Sequence, residues 1–164
     1  MKVIRKNKII RSDPKENPNG TPLEKTLDID LGTQIIPKER YTSKEFMEKE
    51  WENIWTKVWL LGCREDQISE PGDYICTNIG RESVLIVRQR DGGFKAFHNV
   101  CMHCGNRLAD EGLGHAEPFV CGYHGWKYDS DGSFADIPDI ETFPQGKPPC
   151  NGLSELPCDT WVSF

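Results

Sequence analysis

The 164-residue sequence has no long apolar run and no excess of basic residues. Its first residues show no seven-residue apolar run before a small-residue cleavage site, so no secretory signal is expected. A membrane-spanning helix needs roughly 18 apolar residues in a row, and no stretch approaches that length. Lys and Arg number 20 against 26 Asp and Glu, so the formal net charge is -6. Because nucleic acid binding requires clustered positive charge, we expect neither a nucleic acid nor a membrane as a partner.

The cysteines also lack the regular paired spacing that is typical of a disulfide framework. There are seven, an odd number, and two of them belong to a ligand motif described below. The sequence therefore predicts free thiols in a reducing, cytoplasmic setting. The cysteines outside the motif are Cys63, Cys76, Cys104, Cys150 and Cys158.

The chain is predicted to consist of a flexible N-terminal arm, residues 1–38, and one domain, residues 39–164. The arm is polar and rich in proline, with an Asn-Gly turn signal. In the domain, Thr42 and Glu45 fit a capping box that starts a helix. Apolar residues, predicted to be packing anchors, then recur at helical spacing. They are Met47, Trp51, Ile54, Trp55 and Val58.

From Trp59 onward, short apolar runs alternate with turn signals, which favours a small antiparallel sandwich or barrel. Two hairpins are predicted, one turning at Asp91-Gly92-Gly93 and the other at residues 129–132. The predicted strands include residues 74–76, 83–88, 94–97, 126–128 and 133–134, and a last one starts at Asp159.

Two cysteine–histidine pairs carry the metal-binding chemistry of this sequence. Each pair offers one soft thiolate and one imidazole. Cys101 and His103 form the first pair, Cys121 and His124 the second, and 17 residues separate the pairs. Two thiolates on one iron and two imidazoles on the other would ligate a Rieske two-iron, two-sulfur (2Fe-2S) cluster. The same four residues around one tetrahedral ion would be a zinc site, although C-x-H is tighter than the usual zinc knuckle.

Glycines close to each histidine fit a bulky inorganic core. Gly105 and Gly125 allow a sharp turn and bring backbone N–H groups close to sulfur, where such hydrogen bonds raise the reduction potential of a cluster. We expect two loops at hairpin ends that hold a two-metal unit from both sides.

The residues around these pairs give the motif a specific resemblance. Cys101-x-His103-x-Gly105 and Cys121-x-Tyr123-His124-Gly125-Trp126-x-Tyr128, with Asp131-Gly132, resemble the Rieske domain of ring-hydroxylating oxygenase alpha subunits. Pro71-Gly72-Asp73-Tyr74, Phe97-x-Asn99-x-Cys101 and the Thr42 helix fit as well, so the likeness covers about residues 38–164. It implies a mainly β fold: a Rieske-type antiparallel β-sandwich with a cluster-binding subdomain and an N-terminal helix.

The resemblance also implies a function and a ligand set. Cys101 and Cys121 would hold the buried iron, and His103 and His124 the outer iron of a 2Fe-2S cluster. The domain would take one electron at a time from a ferredoxin or reductase. It would pass each electron to an oxygenase catalytic domain, possibly of a neighbouring subunit, that hydroxylates an aromatic ring.

The sequence departs from this family in three places. The residue after the first ligand histidine is usually arginine and here is Cys104. Respiratory-type Rieske proteins carry a disulfide whose cysteine positions correspond here to Asn106 and Tyr123, so none is expected. The mononuclear Fe(II) on two histidines and a carboxylate is expected only in a catalytic domain that is missing, and no catalytic residue is predicted. His98 and His115 are interpreted as surface loop residues.

Two alternatives stay open at this point. One is a stand-alone Rieske ferredoxin, which the length favours, while the N-terminal arm, the Thr42 helix and a chain that stops inside a predicted strand speak against it. The other is a zinc-stabilised binding module. Metal analysis distinguishes these possibilities. A protein that contains iron and an equal amount of inorganic sulfide is an oxygenase domain or a ferredoxin, whereas a protein that contains zinc and no sulfide is a binding module.

Overall fold

The computed structural model describes residues 35–146 and 148–161. The chain divides into two compact units, with the boundary between Ser43 and Lys44. Most of the predicted N-terminal arm lies outside the described residues. Within the described ranges, no helix is both long and apolar enough to cross a membrane.

Two short helices precede the sheets, α1 at Glu39–Thr42 and α2 at Lys44–Asn53. The predicted helix exists, but its predicted cap is wrong. Thr42 is the last residue of α1, and its hydroxyl donates to the carbonyl of Lys38 (3.2 Å), so Ser43 is the residue that precedes α2. A capping-box pattern can match at neighbouring hydroxyl residues, and here the backbone turns at the second one.

The predicted apolar face of α2 is largely exposed, because α2 buries no residue completely. Trp51 is half-buried and lies close to Gly80, so it is a packing anchor. Trp55 is 42% exposed and Met47 is 51% exposed, so they are not anchors among the described residues. Apolar residues at helical spacing identify one side of a helix that can pack against another element. The spacing does not show which element packs there.

Five antiparallel strands form the main sheet, in the order β4-β1-β2-β3-β8. The strand β2 lies at its centre and pairs with β1 on one side and β3 on the other. The bounds are β1 Asp73–Ile79, β2 Glu82–Arg88, β3 Phe94–His98, β4 Gly112–His115 and β8 Glu155–Leu156.

Both faces of β2 are covered, so four successive residues are buried. Because side chains alternate along a strand, Leu85 and Val87 point into one hydrophobic cluster, and Val84 and Ile86 point into another. The first cluster contains Cys101 and Cys121 as well. One face of the central strand therefore packs into the core that holds the two motif thiols.

A smaller antiparallel sheet, in the order β5-β6-β7, carries the second half of the motif. Its strands are β5 Phe119–Val120, β6 Lys127–Tyr128 and β7 Phe134–Asp136. The side chains of Phe119, Trp126 and Tyr128 are buried in the same cluster as the motif thiols. The two sheets thus share the core around the motif.

The structure confirms the mainly β antiparallel class and both predicted hairpins. The strands β4, β5 and β8 were not predicted, because they are two to four residues long and hold little alternation. The apolar run Trp59–Leu61 is an exposed segment without strand structure. The predicted strand from Asp159 is wrong for residues 159–161, and residues 162–164 lie outside the described part.

Candidate metal centre

The first ligand pair lies in a tight loop at residues 101–106, called here the first loop. Two backbone hydrogen bonds shape it. The N–H of Cys101 donates to the carbonyl of Asn106 (2.7 Å), and the N–H of Gly105 donates to the carbonyl of Cys101 (2.9 Å). Gly105 has φ 72°, a left-handed conformation that glycine adopts at little cost. The loop therefore turns the backbone back on itself around the Cys101 side chain.

The second pair lies in a loop of the same shape at residues 121–126, called here the second loop. The N–H of Cys121 donates to the carbonyl of Trp126 (2.8 Å), and the N–H of Gly125 donates to the carbonyl of Cys121 (3.0 Å). Gly125 has φ 73°. The hydrogen-bond pattern and the glycine position thus match the first loop residue for residue.

The two loops differ in their place in the fold. The second loop joins the paired strands β5 and β6, as predicted. The first loop lies in the connection from β3 to β4, and these two strands do not pair, because β4 lies on the far side of β1. The prediction of two hairpin ends is therefore wrong for the first loop. Turn residues show where the chain reverses, but they do not show whether the strands before and after the turn pair with each other.

A buried asparagine anchors the long connection that carries the first loop. The Asn99 side chain is 3% exposed. Its Nδ2 donates to the carbonyl of Ala109 (2.8 Å) and to Cys76 Sγ (3.1 Å). Its Oδ1 accepts from the N–H groups of Leu108 (2.9 Å) and Ala109 (3.1 Å). Sequence reasoning gave Asn99 no role, although a polar residue between the end of β3 and Cys101 was a usable signal.

The four predicted ligand residues converge, and a fifth residue joins them. The donor atoms of Cys101, Cys104 and Cys121 all lie within 4.8 Å of one another, and so do those of His103, Cys104 and His124. Within the described ranges, these are the only groups of three or more metal-ligating side chains at that spacing. Cys104 belongs to both groups, which places its sulfur between the buried thiols and the histidines.

The cysteine thiols and the histidine imidazoles at this centre differ in their exposure to solvent. Cys101 and Cys121 are 2% and 1% exposed, whereas His103 and His124 are exposed. Two buried thiolates and two accessible imidazoles fit the donor set of a Rieske cluster, in which one iron has cysteine ligands and the other has histidine ligands. The geometry thus suits a group with one buried and one solvent-facing metal.

Aromatic contacts fix the histidine rings. The rings of His103 and His124 have centroids 4.5 Å apart. His103 stacks on Trp126, with centroids 4.6 Å apart and planes 8° apart. His124 lies against the exposed Tyr123 ring, with centroids 4.0 Å apart. The imidazole of the first loop is therefore supported by a buried residue of the second loop.

Tyr128 connects the buried sulfur to the backbone of the first loop. Its hydroxyl accepts from the N–H of Met102 (3.0 Å) and lies 3.2 Å from Cys101 Sγ. Burial raises the pKa of this phenol above its usual range, and the contact with Cys101 raises it further. The hydroxyl therefore stays protonated, and its O–H is placed to donate a hydrogen bond to a metal-bound Cys101 sulfur. Such a hydrogen bond would favour the reduced, more negative state of a cluster.

Backbone N–H groups act on the other sulfurs. Burial opposes ionisation of Cys121, but the N–H groups of Tyr123 and His124 bond to its sulfur, and its pKa is lowered. At Cys104 the N–H of Asn106 favours the thiolate, whereas burial and the thiols of Cys121 and Cys101 outweigh it, and the pKa is raised. Cys121 is thus the more readily ionised of these two neighbours, whose sulfurs lie 3.7 Å apart.

The other two histidines lie at strand ends, not in loops as predicted. His98 ends β3, and its Nδ1 lies 3.3 Å from a carboxylate oxygen of Glu82. His115 ends β4, and its Nδ1 lies 2.9 Å from a carboxylate oxygen of Asp73. The hydrogen bond from the backbone N–H of Glu70, followed by the hydrogen bond with His115, holds the pKa of Asp73 below its usual range. Each histidine thus has one carboxylate partner within residues 35–146 and 148–161.

The arrangement agrees with comparisons to known proteins. The model of the family described as the Rieske [2Fe-2S] domain matches residues 58–150, more than half of the chain. The chain belongs to the Rieske domain family. The cofactor of this Rieske domain is a 2Fe-2S cluster, and the match spans both loops.

Curated relatives of this Rieske domain include components of oxygenase systems. The chain is 40% identical over 119 residues to the large oxygenase component of a 2,4-dinitrotoluene dioxygenase system from Burkholderia sp. (strain RASC), which covers 71% of the chain and 26% of the relative. It is 40% identical over 104 residues to a benzene 1,2-dioxygenase subunit alpha from Pseudomonas putida, covering 63% and 23%. The chain thus spans about a quarter of the length of these relatives.

Solved structures show the same fold. A quaternary ammonium Rieske monooxygenase, CntA, superposes with a TM-score of 0.74 at 30% identity, over 79% of the chain and 36% of that protein. Naphthalene 1,2-dioxygenase with indole bound superposes with a TM-score of 0.65 at 33% identity, over 73% and 28%. The neighbours include a monooxygenase and a dioxygenase, so the likeness covers the Rieske domain that both share.

Proposed function

We propose that this chain carries single electrons through a 2Fe-2S cluster as the Rieske domain of an aromatic-ring hydroxylating oxygenase. Cys101 and Cys121 would hold the inner iron, and His103 and His124 the outer one. The observation that carries the proposal is the separation by burial: both thiols lie in the core and both imidazoles face solvent. The cluster supplies a reversible one-electron couple when it is bound.

The protein's own residues would set the conditions for electron transfer. The Tyr128 hydroxyl and the N–H groups on Cys121 place positive dipoles at the buried sulfurs. Trp126 holds the His103 ring in one orientation, so that its free edge can face a partner protein. A fixed, exposed imidazole would shorten the path to an electron donor or acceptor, because no loop has to open first.

The partners follow from the relatives and remain part of the proposal. The dinitrotoluene relative is one component of a dioxygenase system, and other relatives are alpha subunits. By analogy, a ferredoxin or reductase would supply electrons to this domain. An oxygenase catalytic domain with a mononuclear Fe(II), possibly of a neighbouring subunit, would receive them. The net charge of -6 would favour a basic docking face on the donor.

The proposal is tested by metal analysis and spectroscopy of the 164-residue protein, reconstituted without oxygen with iron and sulfide. We expect equal amounts of iron and inorganic sulfide, visible absorption, and an electron paramagnetic resonance signal of low average g after reduction. A His103→Cys variant should shift that signal towards the all-cysteine type if His103 is a ligand. A colourless protein that holds zinc and no sulfide would overturn the proposal.

A further inference from the structure

Cys104 occupies the position in the first loop that His124 occupies in the second. The matching backbone hydrogen bonds align Cys101 with Cys121 and Gly105 with Gly125, and thereby Cys104 with His124. The second loop presents a metal-ligating group from this position. The same backbone in the first loop presents a thiol.

The position of the Cys104 sulfur suits direct metal binding. Its Sγ lies 3.7 Å from Cys121 Sγ and within 4.8 Å of Cys101 Sγ. Zn–S bonds of about 2.3 Å at tetrahedral angles place neighbouring sulfurs about 3.8 Å apart. The separation of the Cys104 and Cys121 sulfurs therefore equals one edge of a zinc–thiolate tetrahedron, without any movement of the backbone.

Among the described residues, no histidine nitrogen lies within 4.8 Å of all three sulfurs, so a water molecule would fill the fourth corner of such a tetrahedron. The donor nitrogens of His103 and His124 both lie within 4.8 Å of Cys104 Sγ. Three thiolates with one exchangeable ligand suit the tetrahedral coordination that Zn²⁺ prefers.

We propose that the cluster-free chain binds one Zn²⁺ through Cys101, Cys104 and Cys121, with water as the fourth ligand. The zinc site shares Cys101 and Cys121 with the proposed cluster site, so zinc and cluster exclude each other. Cys104 is the residue that makes the site a three-thiolate site. The two ligand pairs alone would offer zinc only two thiolates. This zinc site does not depend on whether the chain carries electrons.

Co²⁺ titration of the cluster-free 164-residue protein, kept reduced and free of oxygen, tests the proposal. Thiolate ligands of Co²⁺ give charge-transfer absorption whose strength follows their number. We expect one Co²⁺ per wild-type chain, displaced by Zn²⁺. In Cys104→Ser the absorption per bound Co²⁺ should fall by about a third and the Zn²⁺ affinity by about tenfold or more. Cys150→Ser, which removes a half-buried cysteine of no ligand group, should match the wild type.

Two results would overturn the zinc site: equal charge-transfer absorption in Cys104→Ser and wild type, or no one-to-one binding of Co²⁺ by the wild type. Cluster reconstitution of Cys104→Ser shows whether the variant folds, since Cys104 is not among the proposed cluster ligands. Zinc loaded beforehand should delay that reconstitution more in the wild type than in Cys104→Ser. An equal delay in both proteins counts against the proposal. Failure of the cluster itself leaves the Co²⁺ result unaffected.

Discussion

The first and second loops have one backbone shape and different side chains. Each closes with an N–H of its cysteine bonded to a carbonyl five residues later, and each has a left-handed glycine four residues after that cysteine. The histidine comes two residues after Cys101 but three residues after Cys121. The backbone therefore fixes where a donor can be placed, and the residue at that place decides which donor it is.

The two loops also differ in what supports them. The cysteine of the first loop contacts a buried phenol, Tyr128, and its histidine stacks on Trp126. The cysteine of the second loop relies on N–H groups of its own loop, and its histidine lies against the exposed Tyr123. Side chains from outside the first loop thus support its ligands, whereas the ligands of the second loop are mostly supported by groups of that same loop.

The largest effect is expected from removing either thiol. Cys101→Ser and Cys121→Ser should each abolish cluster binding, because serine is a poor ligand for iron in a cluster and both positions are buried. Iron and sulfide analysis after reconstitution measures this loss. Cys150→Ser is the matched control and should bind the full cluster. Full iron and sulfide in either ligand variant would show that the loops do not contribute equivalent thiolates.

A smaller effect, confined to the first loop, is expected for Tyr128→Phe. The variant loses the hydrogen bond to Cys101 Sγ and leaves the N–H of Met102 without its acceptor, at a cost of about 2 kcal/mol in the free energy of unfolding. The lost bond to sulfur should lower the cluster potential by about 40 mV, equivalent to about 1 kcal/mol for one electron. Denaturant unfolding and redox titration measure these changes.

Tyr123→Phe is the matched control for Tyr128→Phe, because it removes an exposed phenol hydroxyl from the second loop. Its potential and its stability should stay close to those of the wild type. A potential change as large as that of Tyr128→Phe would mean that the two loops are supported alike, contrary to the comparison.

The smallest effect is expected at the two left-handed glycines, and it should be equal in both loops. Alanine at φ 72° or 73° costs about 1 kcal/mol of stability in backbone strain. An added Cβ meets nothing within 4 Å at Gly105 and an ordinary contact of 3.6 Å with Pro138 at Gly125. Thermal unfolding of Gly105→Ala and Gly125→Ala checks this, and clearly unequal losses would contradict the shared shape of the loops.

The sequence predicts those parts of the molecule that depend on local chemistry. The hairpin at Asp91-Gly92-Gly93 is one such part, since its turn residues, the β-branched run before them and the phenylalanine-containing run after them are adjacent in sequence. The convergence of Cys101, His103, Cys121 and His124 is another, because their spacing and glycines are typical of one metal centre. The assignment of each residue to one iron stays a prediction.

Features that depend on distant partners were not predictable in this way. The pairing of β4 with β1 joins residues far apart in sequence, and Gly112–His115 has no alternating pattern to reveal it. The nearness of Cys104 to Cys121 arises from two loops that meet only after folding. The apolar periodicity of α2 predicted a covered face, whereas its covering depends on residues outside the helix.

The two-sided burial of β2 has a consequence for how this domain can change over evolutionary time. Leu85 and Val87 share a core with the motif thiols, so substitutions there disturb the chemistry of the centre. Val84 and Ile86 belong to the other cluster, and changes there act on the scaffold alone. We therefore expect neighbouring codons of this strand to be under different constraints, so that the scaffold can change while the redox centre stays constant.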